Sequence, residues 1–353
     1  MHRNSFSLAA LAAAAVPGLV PAQTTPIATP VEELDVAGVV GEDSQRVVVR
    51  SPASTAAGVR LDRDLTVADA LTGTPLRGVV PPVLGFVKLA EGGRAAVSAA
   101  PAGHPLMLDE LQDSPGLARS LGQVLARIHT VPRYAAEAAG VESFTAAALL
   151  SEHADRVRRA REVGHLPAAV SQRWESLLAD ADLWDFSPQF VHADLSEESL
   201  FAAEDRISAV LSWHGAKVAD PATDLAWLIS SLDTERFDEL YAAYREELPT
   251  EVHPRLVERA QAIGEFAVCE WLLHGLDTGD QEIVQDARVM ISDLDHDLAQ
   301  LAREEAERTY EELNADRREP VAADPGPAPE PRSDAPEDVE RPDHAEPSER
   351  PGD

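Results

Sequence analysis

Apolar residues in the first hundred positions mostly recur at strand-like intervals, with one helical stretch among them. Residues 46–50 form a short β-branched run before a proline turn. Residues 83–89 and 94–99 flank the turn Glu91-Gly92-Gly93 and have the pattern of a hairpin. Residues 61–72 carry leucine and alanine at helical spacing. The pattern therefore predicts a small lobe made of an antiparallel sheet and a helix.

Helical spacing dominates the rest of the chain. Ser114 and Pro115 form a cap and first-turn pair, and an apolar stripe follows them. The helical pattern recurs over residues 143–162 and 167–182, and again from residue 224 to about 314. We therefore expect a larger, mainly helical lobe after the sheet.

Two segments of this second part depart from helical spacing. Residues 102–105 contain glycine and proline and are predicted to be a hinge. Residues 188–213 have a strand-like period, with Ile207, Ala209 and Leu211 on one face. These segments predict a strand-and-loop insertion among the helices.

The predicted organisation is α+β with three parts. Residues 1–101 form the first lobe, including a short N-terminal helix, and residues 102–314 form the helical lobe. Residues 315–353 are rich in proline and acidic residues and contain almost no large apolar side chains. Such a segment cannot offset the entropy of ordering it, so we predict a disordered tail. A solubilising role and recruitment of a protein partner are both open for this tail.

The charge balance bears on the choice of partners. The 353 residues include 44% hydrophobic positions, which is ordinary, but the formal net charge is -32. So acidic a surface repels phosphate backbones, which argues against nucleic-acid binding. It also lacks the polybasic attraction to anionic membranes, so neither partner is expected.

The single cysteine and the N-terminus bear on location. Cys269 has no partner for an intrachain disulfide, which fits a cytoplasmic protein. Residues 1–22 allow an alternative, a secretory signal cleaved after Ala22, but Pro17-Gly18 reads as a helix stop. We expect a short helix there and a cytoplasmic protein.

The chemistry-bearing residues cluster between positions 188 and 228. Asp194 directly follows apolar residues and precedes a polar loop, so its carboxylate can face a cleft while a strand holds its backbone. Asp224 precedes an apolar run and is placed to cap or begin a helix.

This segment resembles the aminoglycoside and macrolide phosphotransferase family, which shares the two-lobed protein-kinase-like fold of choline kinases. The family pattern is H-G-D, four residues, N, a strand ending in D-W, then D-P-x-x-D-L-A. Here the matching residues are His192-Ala193-Asp194, Ser199, Ser212-Trp213 and Asp220-Pro221-Ala222-Thr223-Asp224-Leu225-Ala226. The resemblance implies a kinase of small hydroxylated molecules.

The resemblance also implies roles in the catalytic loop. Asp194 corresponds to the catalytic residue that orients the attacking hydroxyl and accepts its proton. Asp224 corresponds to the residue that organises the loop, and His192 and Asp220 are expected to support it structurally.

The implied cofactors are ATP, or GTP, and Mg²⁺. Arg50 stands near the position of the family lysine that steadies the α- and β-phosphates, and Asp64 is the candidate for its acidic partner. Arginine keeps the charge of lysine but not its size or point-like geometry.

Two departures concern the metal. Ser199 replaces the metal-binding asparagine, and Ser212 replaces the metal-binding aspartate. Mg²⁺ prefers anionic oxygen ligands in octahedral geometry, so these degenerate positions put the metal, and with it the nucleotide, in doubt. The sequence predicts impaired catalysis, or an inactive pseudokinase-type binding or regulatory protein. In the competing hypothesis, Glu197 or Glu198 supplies the missing charge and activity survives.

Other interpretations of the site are weaker. His192, Asp194, His214 and Asp220 can be imagined as a metal-hydrolase cluster, but no further ligand lies at a diagnostic spacing. Tryptophans 213, 227 and 271 are predicted to be core residues. The substrate is not readable, although a large acidic excess would suit a cation such as an aminoglycoside.

Overall fold

A computed structural model describes residues 2–28, 33–164 and 166–315. The chain divides into two units, residues 1–299 and 300–353, and the elements below belong to the first unit except for the end of the last helix. The strands are β1 (Pro21–Ile27), β2 (Leu34–Gly41), β3 (Arg46–Pro52), β4 (Val83–Lys88), β5 (Arg94–Ala99), β6 (His104–Pro105), β7 (Gln189–Val191), β8 (Leu200–Ala203), β9 (Arg206–Val210) and β10 (Lys217–Ala219). The helices are α1 (Ser5–Ala15), α2 (Thr55–Leu71), α3 (Leu108–Asp113), α4 (Pro115–His129), α5 (Arg133–Ala139), α6 (Ala146–Gly164), α7 (Ala168–Ala179), α8 (Ala222–Ser231), α9 (Thr234–Glu247), α10 (Leu256–Thr278) and α11 (Gln281–Ala315).

The first lobe is a five-stranded antiparallel sheet in the order β1-β2-β3-β5-β4. Strand β1 lies at an edge, where its two prolines cost no ladder hydrogen bond. In β2 and β3, alternate residues point to one face, and on that face Ala37, Val39, Val47 and Val49 are buried. Helix α1, capped by Asn4, covers this face with its own small apolar residues.

Helix α2 contributes to two hydrophobic cores. It begins after Ser54, whose hydroxyl accepts a hydrogen bond from Ala57 N–H. Leu61 and Leu65 pack with Ala96 of the sheet, whereas residues from Val67 onward join the core of the helical lobe. Because it is held on both sides, α2 ties the sheet to the helical lobe.

The helical lobe is built around α4, which packs along α9, and α10, which packs along α8. Ser114 caps α4 and Pro115 occupies its first turn, as the sequence predicts. Gly122 of α4 lies so close to the backbone of Leu240 that a Cβ there would collide with the carbonyl oxygen. This close approach brings His129, at the end of α4, against α9.

A three-stranded sheet in the order β6-β8-β9 connects the lobes. Residues 102–105, which the sequence predicts to be a hinge, contain β6, and β6 pairs with β8. Ser208 of β9 donates a hydrogen bond to Ala102 O at 2.7 Å, and Leu106 N–H donates to Leu200 O at 2.9 Å. The connection between the lobes is therefore fastened to the hairpin that follows the catalytic-loop segment.

Several predicted elements are confirmed with shifted ends. The strand at residues 46–50, the hairpin and the helices of the second lobe are present, but α2 begins six residues before the predicted residue 61. Strands β1 and β2 were not predicted individually, because the prolines and polar residues of β1 do not alternate with apolar ones. Their pairing depends on β3, which sequence spacing does not reveal.

Trp271 corrects one expectation. Its side chain is 40% exposed and its indole N–H donates to Asp286 at 2.8 Å, so it is a surface residue. Trp213 is buried, as expected. Residues 316–353 lie outside the described residues, and with them nearly all of the predicted tail. In the described part of the chain, no helix is long and apolar enough to cross a membrane.

Candidate active site at the catalytic loop

Asp194 lies at the end of a short strand, on a loop that faces solvent. Strand β7 ends at Val191, and His192-Ala193-Asp194 follow it directly. The Asp194 side chain is 59% exposed, whereas Val191 and His192 are fully buried. The arrangement presents one carboxylate on a buried support, as the sequence predicted.

The turn before Asp194 has a left-handed backbone. Ala193 has φ = +64°, a conformation that glycine adopts at much lower cost than alanine. The family pattern has glycine at this position, and Ala193 therefore holds a strained turn. Something else must hold it in place.

Asp224 is the residue that holds this turn. Its Oδ2 accepts the His192 backbone N–H at 2.8 Å, and its Oδ1 accepts the Ala193 N–H at 2.7 Å. Asp224 lies in the first turn of α8 and is 1% exposed. The loop-organising position that the sequence predicted for Asp224 agrees with this geometry.

A buried chain of hydrogen bonds continues behind Asp224. His129 Nε2 lies 3.2 Å from Asp224 Oδ2, and His129 Nδ1 lies 2.8 Å from the Tyr244 hydroxyl. Burial raises the pKa of Tyr244, so its hydroxyl keeps its proton and can donate to Nδ1. This leaves the His129 Nε2–H to donate to the carboxylate.

The pKa of Asp224 reflects two opposing effects. Burial by itself would raise this pKa, but the hydrogen bonds from the His129 ring and from the His192 backbone N–H outweigh it and hold the pKa below its usual value. The carboxylate is therefore ionised at neutral pH and accepts both loop N–H groups.

His192 joins the loop to the next strand. Its Nε2–H donates to Leu211 O at 2.7 Å, and its Nδ1 accepts the Asp194 N–H at 3.3 Å. Burial lowers the pKa of His192, so the ring is neutral and matches this pattern. The centre of its ring also lies 4.7 Å from that of Trp213.

Arg50 of β3 and Asp64 of α2 lie together in the first lobe. Arg50 Nη1 donates to Asp64 Oδ2 at 2.5 Å, so the pair inferred from a loose alignment exists. Asp64 Oδ1 also accepts the backbone N–H of Trp213 at 2.6 Å. The buried carboxylate of Asp64 therefore links Arg50 of β3 to the loop that contains Ser212.

Ser199 is buried within its own turn. It is 2% exposed, and its hydroxyl donates to Ser196 O and accepts the Ser196 N–H, both at 2.9 Å. These bonds fold the loop before β8 into a tight turn. The hydroxyl is thus occupied by the protein itself.

Ser212 lies beside Trp213 in a left-handed conformation, with φ = +65°. It provides no charge, and Ser199 provides none either. In the described ranges, no group of three or more His, Cys, Asp or Glu side chains is placed to hold a metal ion. Neither serine supplies the anionic oxygen that Mg²⁺ prefers.

The two glutamates of the loop differ in their surroundings. Glu197 Oε1 accepts the backbone N–H of Leu108 at 2.6 Å, at the start of α3. This hydrogen bond joins the loop to the start of that helix. Glu198 is exposed.

Asp220 lies directly before the residue that caps α8. It is buried and binds Arg259 Nε at 2.7 Å, and it also accepts the Ala222 N–H at 2.9 Å. Arg259 is fully buried, stacks on Phe186 and donates to Leu183 O. The ion pair fastens α10 to the turn that begins α8.

Sequence reasoning missed His129, Tyr244 and Arg259 because each lies on a helix far along the chain from the loop that it supports. His129 and Arg259 are polar residues within the apolar stripes of their helices. That departure from the pattern is the feature of the sequence that could have identified them. His214 Nε2 lies 3.6 Å from Asp194 Oδ2, so it stands beside the exposed carboxylate. In the analysis of the sequence, His214 was considered only as a possible metal ligand.

A sequence comparison identifies the family. A model of the phosphotransferase enzyme family matches residues 35–257, which is more than half of the chain. This chain belongs to that family. The match includes β3, α2, the catalytic loop and the start of α8, where the residues described above lie.

Comparison with individual proteins agrees with the fold. The structure of the macrolide 2'-phosphotransferase MphH from Brachybacterium faecium matches with a TM-score of 0.67 and 24% identity, over 80% of this chain and 96% of that one. A GDP complex of aminoglycoside 2'-phosphotransferase-IIIa matches with a TM-score of 0.66 and 15% identity, over 82% and 98%. The predicted kinase-like fold is thereby confirmed.

One curated relative is the uncharacterised protein YcbJ of Bacillus subtilis (strain 168). It is 25% identical over 138 residues, which is 38% of this chain and 45% of that protein. This chain therefore matches less than half the length of that relative.

Proposed function

We propose that this protein is a small-molecule phosphotransferase of the aminoglycoside and macrolide type, in which the loss of the metal positions has impaired or abolished turnover. The observation that carries the proposal is the contrast between an exposed Asp194 on an intact loop and a Ser199 that is sealed by its own turn. Asp194 is placed to accept the proton of the attacking hydroxyl. Ser199 lacks a free ligand atom for the metal ion that phosphoryl transfer requires.

Asp194 is the candidate catalytic residue. In phosphoryl transfer, the acceptor O–H bond breaks as its oxygen bonds to the γ-phosphorus, and the bond from that phosphorus to the nucleoside diphosphate breaks. A carboxylate at this place orients the hydroxyl and takes its proton. The exposure of Asp194 and its rigid support are suited to that role.

Arg50 and Asp64 are the candidates for nucleotide binding. Arg50 presents a cation from β3, and Asp64 fixes its direction through a hydrogen bond. The guanidinium can bind phosphate oxygens on its remaining N–H groups. Solved structures of similar fold contain GDP or ADP, which supports a nucleotide as the ligand on this side.

Magnesium does not fit the residues present, and we derive no step through it. Without the divalent ion, charge that develops on the transferred phosphoryl group is not neutralised, which slows transfer. The second candidate function follows from the same observation. A binding or regulatory protein of the pseudokinase kind needs the lobes and the cleft but not the ion.

The acceptor is expected to be a small hydroxylated molecule. The similar structures carry names of macrolide and aminoglycoside phosphotransferases, and one is a complex with kanamycin. We expect a molecule of that size class here, phosphorylated slowly or only bound.

Thermal-shift titration with ATP or GTP tests the proposal, with and without Mg²⁺ or Mn²⁺. We expect stabilisation by the nucleotide that the metal does not increase, with little or no hydrolysis or transfer. Metal-dependent stabilisation with rapid transfer to a hydroxylated acceptor would disprove the impairment. Failure of both nucleotides to stabilise the protein under every condition would contradict phosphotransferase-type binding altogether.

A further inference from the structure

Asp64 joins two parts of the candidate site that belong to different lobes. Its side chain is 7% exposed and both of its carboxylate oxygens accept hydrogen bonds. Oδ2 accepts the Nη1–H of Arg50 at 2.5 Å, and Oδ1 accepts the backbone N–H of Trp213 at 2.6 Å. Arg50 is the candidate phosphate-binding cation, and Trp213 begins a short turn that ends at Gly215. One side chain of α2 therefore holds both a group on the sheet and a loop of the second lobe.

The turn that begins at Trp213 packs on the candidate catalytic residue. A Cβ on Gly215 would lie 3.2 Å from Asp194 Cβ and 3.5 Å from His192 O. His214 Nε2 lies 3.6 Å from Asp194 Oδ2. Because the packing is this close, a movement of the turn changes the surroundings of the Asp194 carboxylate directly.

Trp213 also reaches the backbone of Asp194 through His192. The centre of the Trp213 ring lies 4.7 Å from that of His192. The His192 ring bonds Leu211 O through Nε2 and accepts the Asp194 N–H on Nδ1, at 2.7 Å and 3.3 Å. Both the side chain and the backbone of Asp194 are thus in contact with the loop that Asp64 holds.

Arg50 can pass the effect of a ligand to Asp64. Its side chain is 21% exposed, and a guanidinium has five N–H donors, so donors other than the one on Asp64 can bind an oxyanion. A phosphate bound there restricts the guanidinium, and with it the carboxylate that the guanidinium binds. Ligand binding that orders a group can be transmitted to a second site in this way.

We propose that Asp64 is a positioning residue for Asp194, and that it transmits phosphate binding at Arg50 to the loop that carries the candidate catalytic aspartate. This inference rests on the proposed function and adds a form of regulation to the same site. The nucleotide orders the catalytic loop through protein contacts between the two lobes.

Hydrogen–deuterium exchange of the full chain tests this link. Mass spectrometry follows peptides that cover residues 190–196 and 211–216, with ATP at a concentration that saturates each variant in a thermal-shift titration. In the parent chain, we expect ATP to slow the exchange of both peptides by about fivefold or more, the lower end of ordinary coupling between two sites. Inorganic tripolyphosphate, which supplies phosphates without a nucleoside, should act in the same direction.

Two substitutions of Asp64 separate its contacts. Asp64→Ala removes both hydrogen bonds, so both peptides should exchange faster without ligand, and ATP should no longer slow them. Asp64→Asn keeps an oxygen for the Trp213 N–H but has no charge for Arg50. It should keep the protection without ligand and lose the effect of ATP, a separation that a merely structural role would not produce. If Asp64→Ala does not fold, Asp64→Asn against the parent decides the test.

Asp62→Ala is the matched control. Asp62 lies on the same helix and accepts the Nε–H of Arg94 of β5 at 2.6 Å, so its loss also breaks an ion pair between α2 and the sheet. Residues two apart on a helix do not face each other, so this change leaves the side of Asp64 intact. The variant should exchange, and respond to ATP, as the parent does. Circular dichroism shows whether each variant is folded.

Equal exchange of both peptides in the parent and in Asp64→Ala, or a full ATP effect in Asp64→Asn, would overturn the inference. ATP that binds the parent but slows neither peptide removes this inference and leaves the proposed function in place. ATP that does not bind the parent contradicts the proposed function. Slowing by tripolyphosphate that depends on Asp64 would in that case still support the link.

Discussion

The loop around Asp194 and the two serines that align with the family's metal-binding residues lie within one segment of the chain, yet their side chains make different kinds of contact. The loop is held by the buried carboxylate of Asp224, which accepts two backbone N–H groups of the loop. His129 connects this carboxylate to the hydroxyl of Tyr244. The serines are neutral, and the hydroxyl of Ser199 is used to close a turn.

The difference shows which interactions folding requires. Asp224 satisfies two backbone N–H groups in the interior, so its loss would expose buried donors without partners. A metal ligand contributes nothing to the fold until the ion binds, and a serine that makes local hydrogen bonds replaces it at no cost in stability. A scaffold for phosphoryl transfer can therefore outlast the site that holds the ion.

The largest expected effect comes from breaking the loop support. Asp224→Ala leaves His192 N–H, Ala193 N–H and His129 unpaired in the interior, and we expect it to lower the free energy of unfolding by about 3 to 5 kcal/mol. Asp194→Ala, a matched removal of an exposed carboxylate, should change it by less than about 0.5 kcal/mol. Urea unfolding measures both, and equal losses would refute the contrast between the two aspartates.

A second experiment rebuilds the metal position. Ser212→Asp places a carboxylate at a left-handed position that aspartate tolerates, and Ser199→Asn restores the amide. We expect ATP to stabilise the double variant in a Mg²⁺-dependent way, by about 2.7 kcal/mol when ATP is about 100-fold above its Kd. Thermal-shift titration measures this effect.

The control for that experiment adds the same charge elsewhere. Ser230→Asp lies on the exposed end of α8 and should respond to ATP and Mg²⁺ as the parent chain does. If the double variant gains no metal dependence while it stays folded, the two serines are not what prevents metal binding.

The pH dependence of stability tests the neutral state of His192. Since burial lowers its pKa, the unfolded chain binds a proton more readily than the folded one below pH 6.5. The stabilisation by neutral His192 is therefore complete above pH 6.5 and is lost as the pH falls toward the folded-state pKa, at up to about 1.4 kcal/mol per pH unit.

Urea unfolding at several pH values between 7 and 5 measures this slope. His192→Gln should show a shallower slope than the parent, whereas His296→Gln, on the exposed face of α11, should not. His153, with a pKa of about 4, contributes to the slope in both and cancels in the comparison. Parallel curves for the parent and His192→Gln would mean that His192 is not buried in its neutral form.

The smallest expected effect concerns the strained turn itself. Ala193→Gly removes the Cβ from a residue at φ = +64° and is expected to stabilise the fold by up to about 1 kcal/mol. Ala203→Gly, in strand β8, should destabilise it by about 0.5 to 1 kcal/mol. Thermal unfolding compares the two changes, and a destabilised Ala193→Gly would show that the turn carries no strain.

Much of this molecule was predictable from the printed sequence. The fold class, the helices of the second lobe and the resemblance of residues 188–228 to a phosphotransferase segment all follow from spacing and motif. Arg50 and Asp64 were paired through the resemblance to the family, and the structure brings them into contact. Strands β1 and β2 were missed because an edge strand with two prolines has no alternation to detect.

The sequence by itself determined which chemical groups are present: an aspartate in a catalytic-loop pattern, serines at the metal positions and very little lysine. Only the tertiary structure decided how those groups are used, because hydrogen bonds between distant segments form only once the chain is folded. His129, Tyr244 and Asp224 become one buried network, Ser199 is closed off, and Asp64 links a strand of the sheet to a distant loop. Residue identity is a local property, whereas burial and pairing depend on the whole fold.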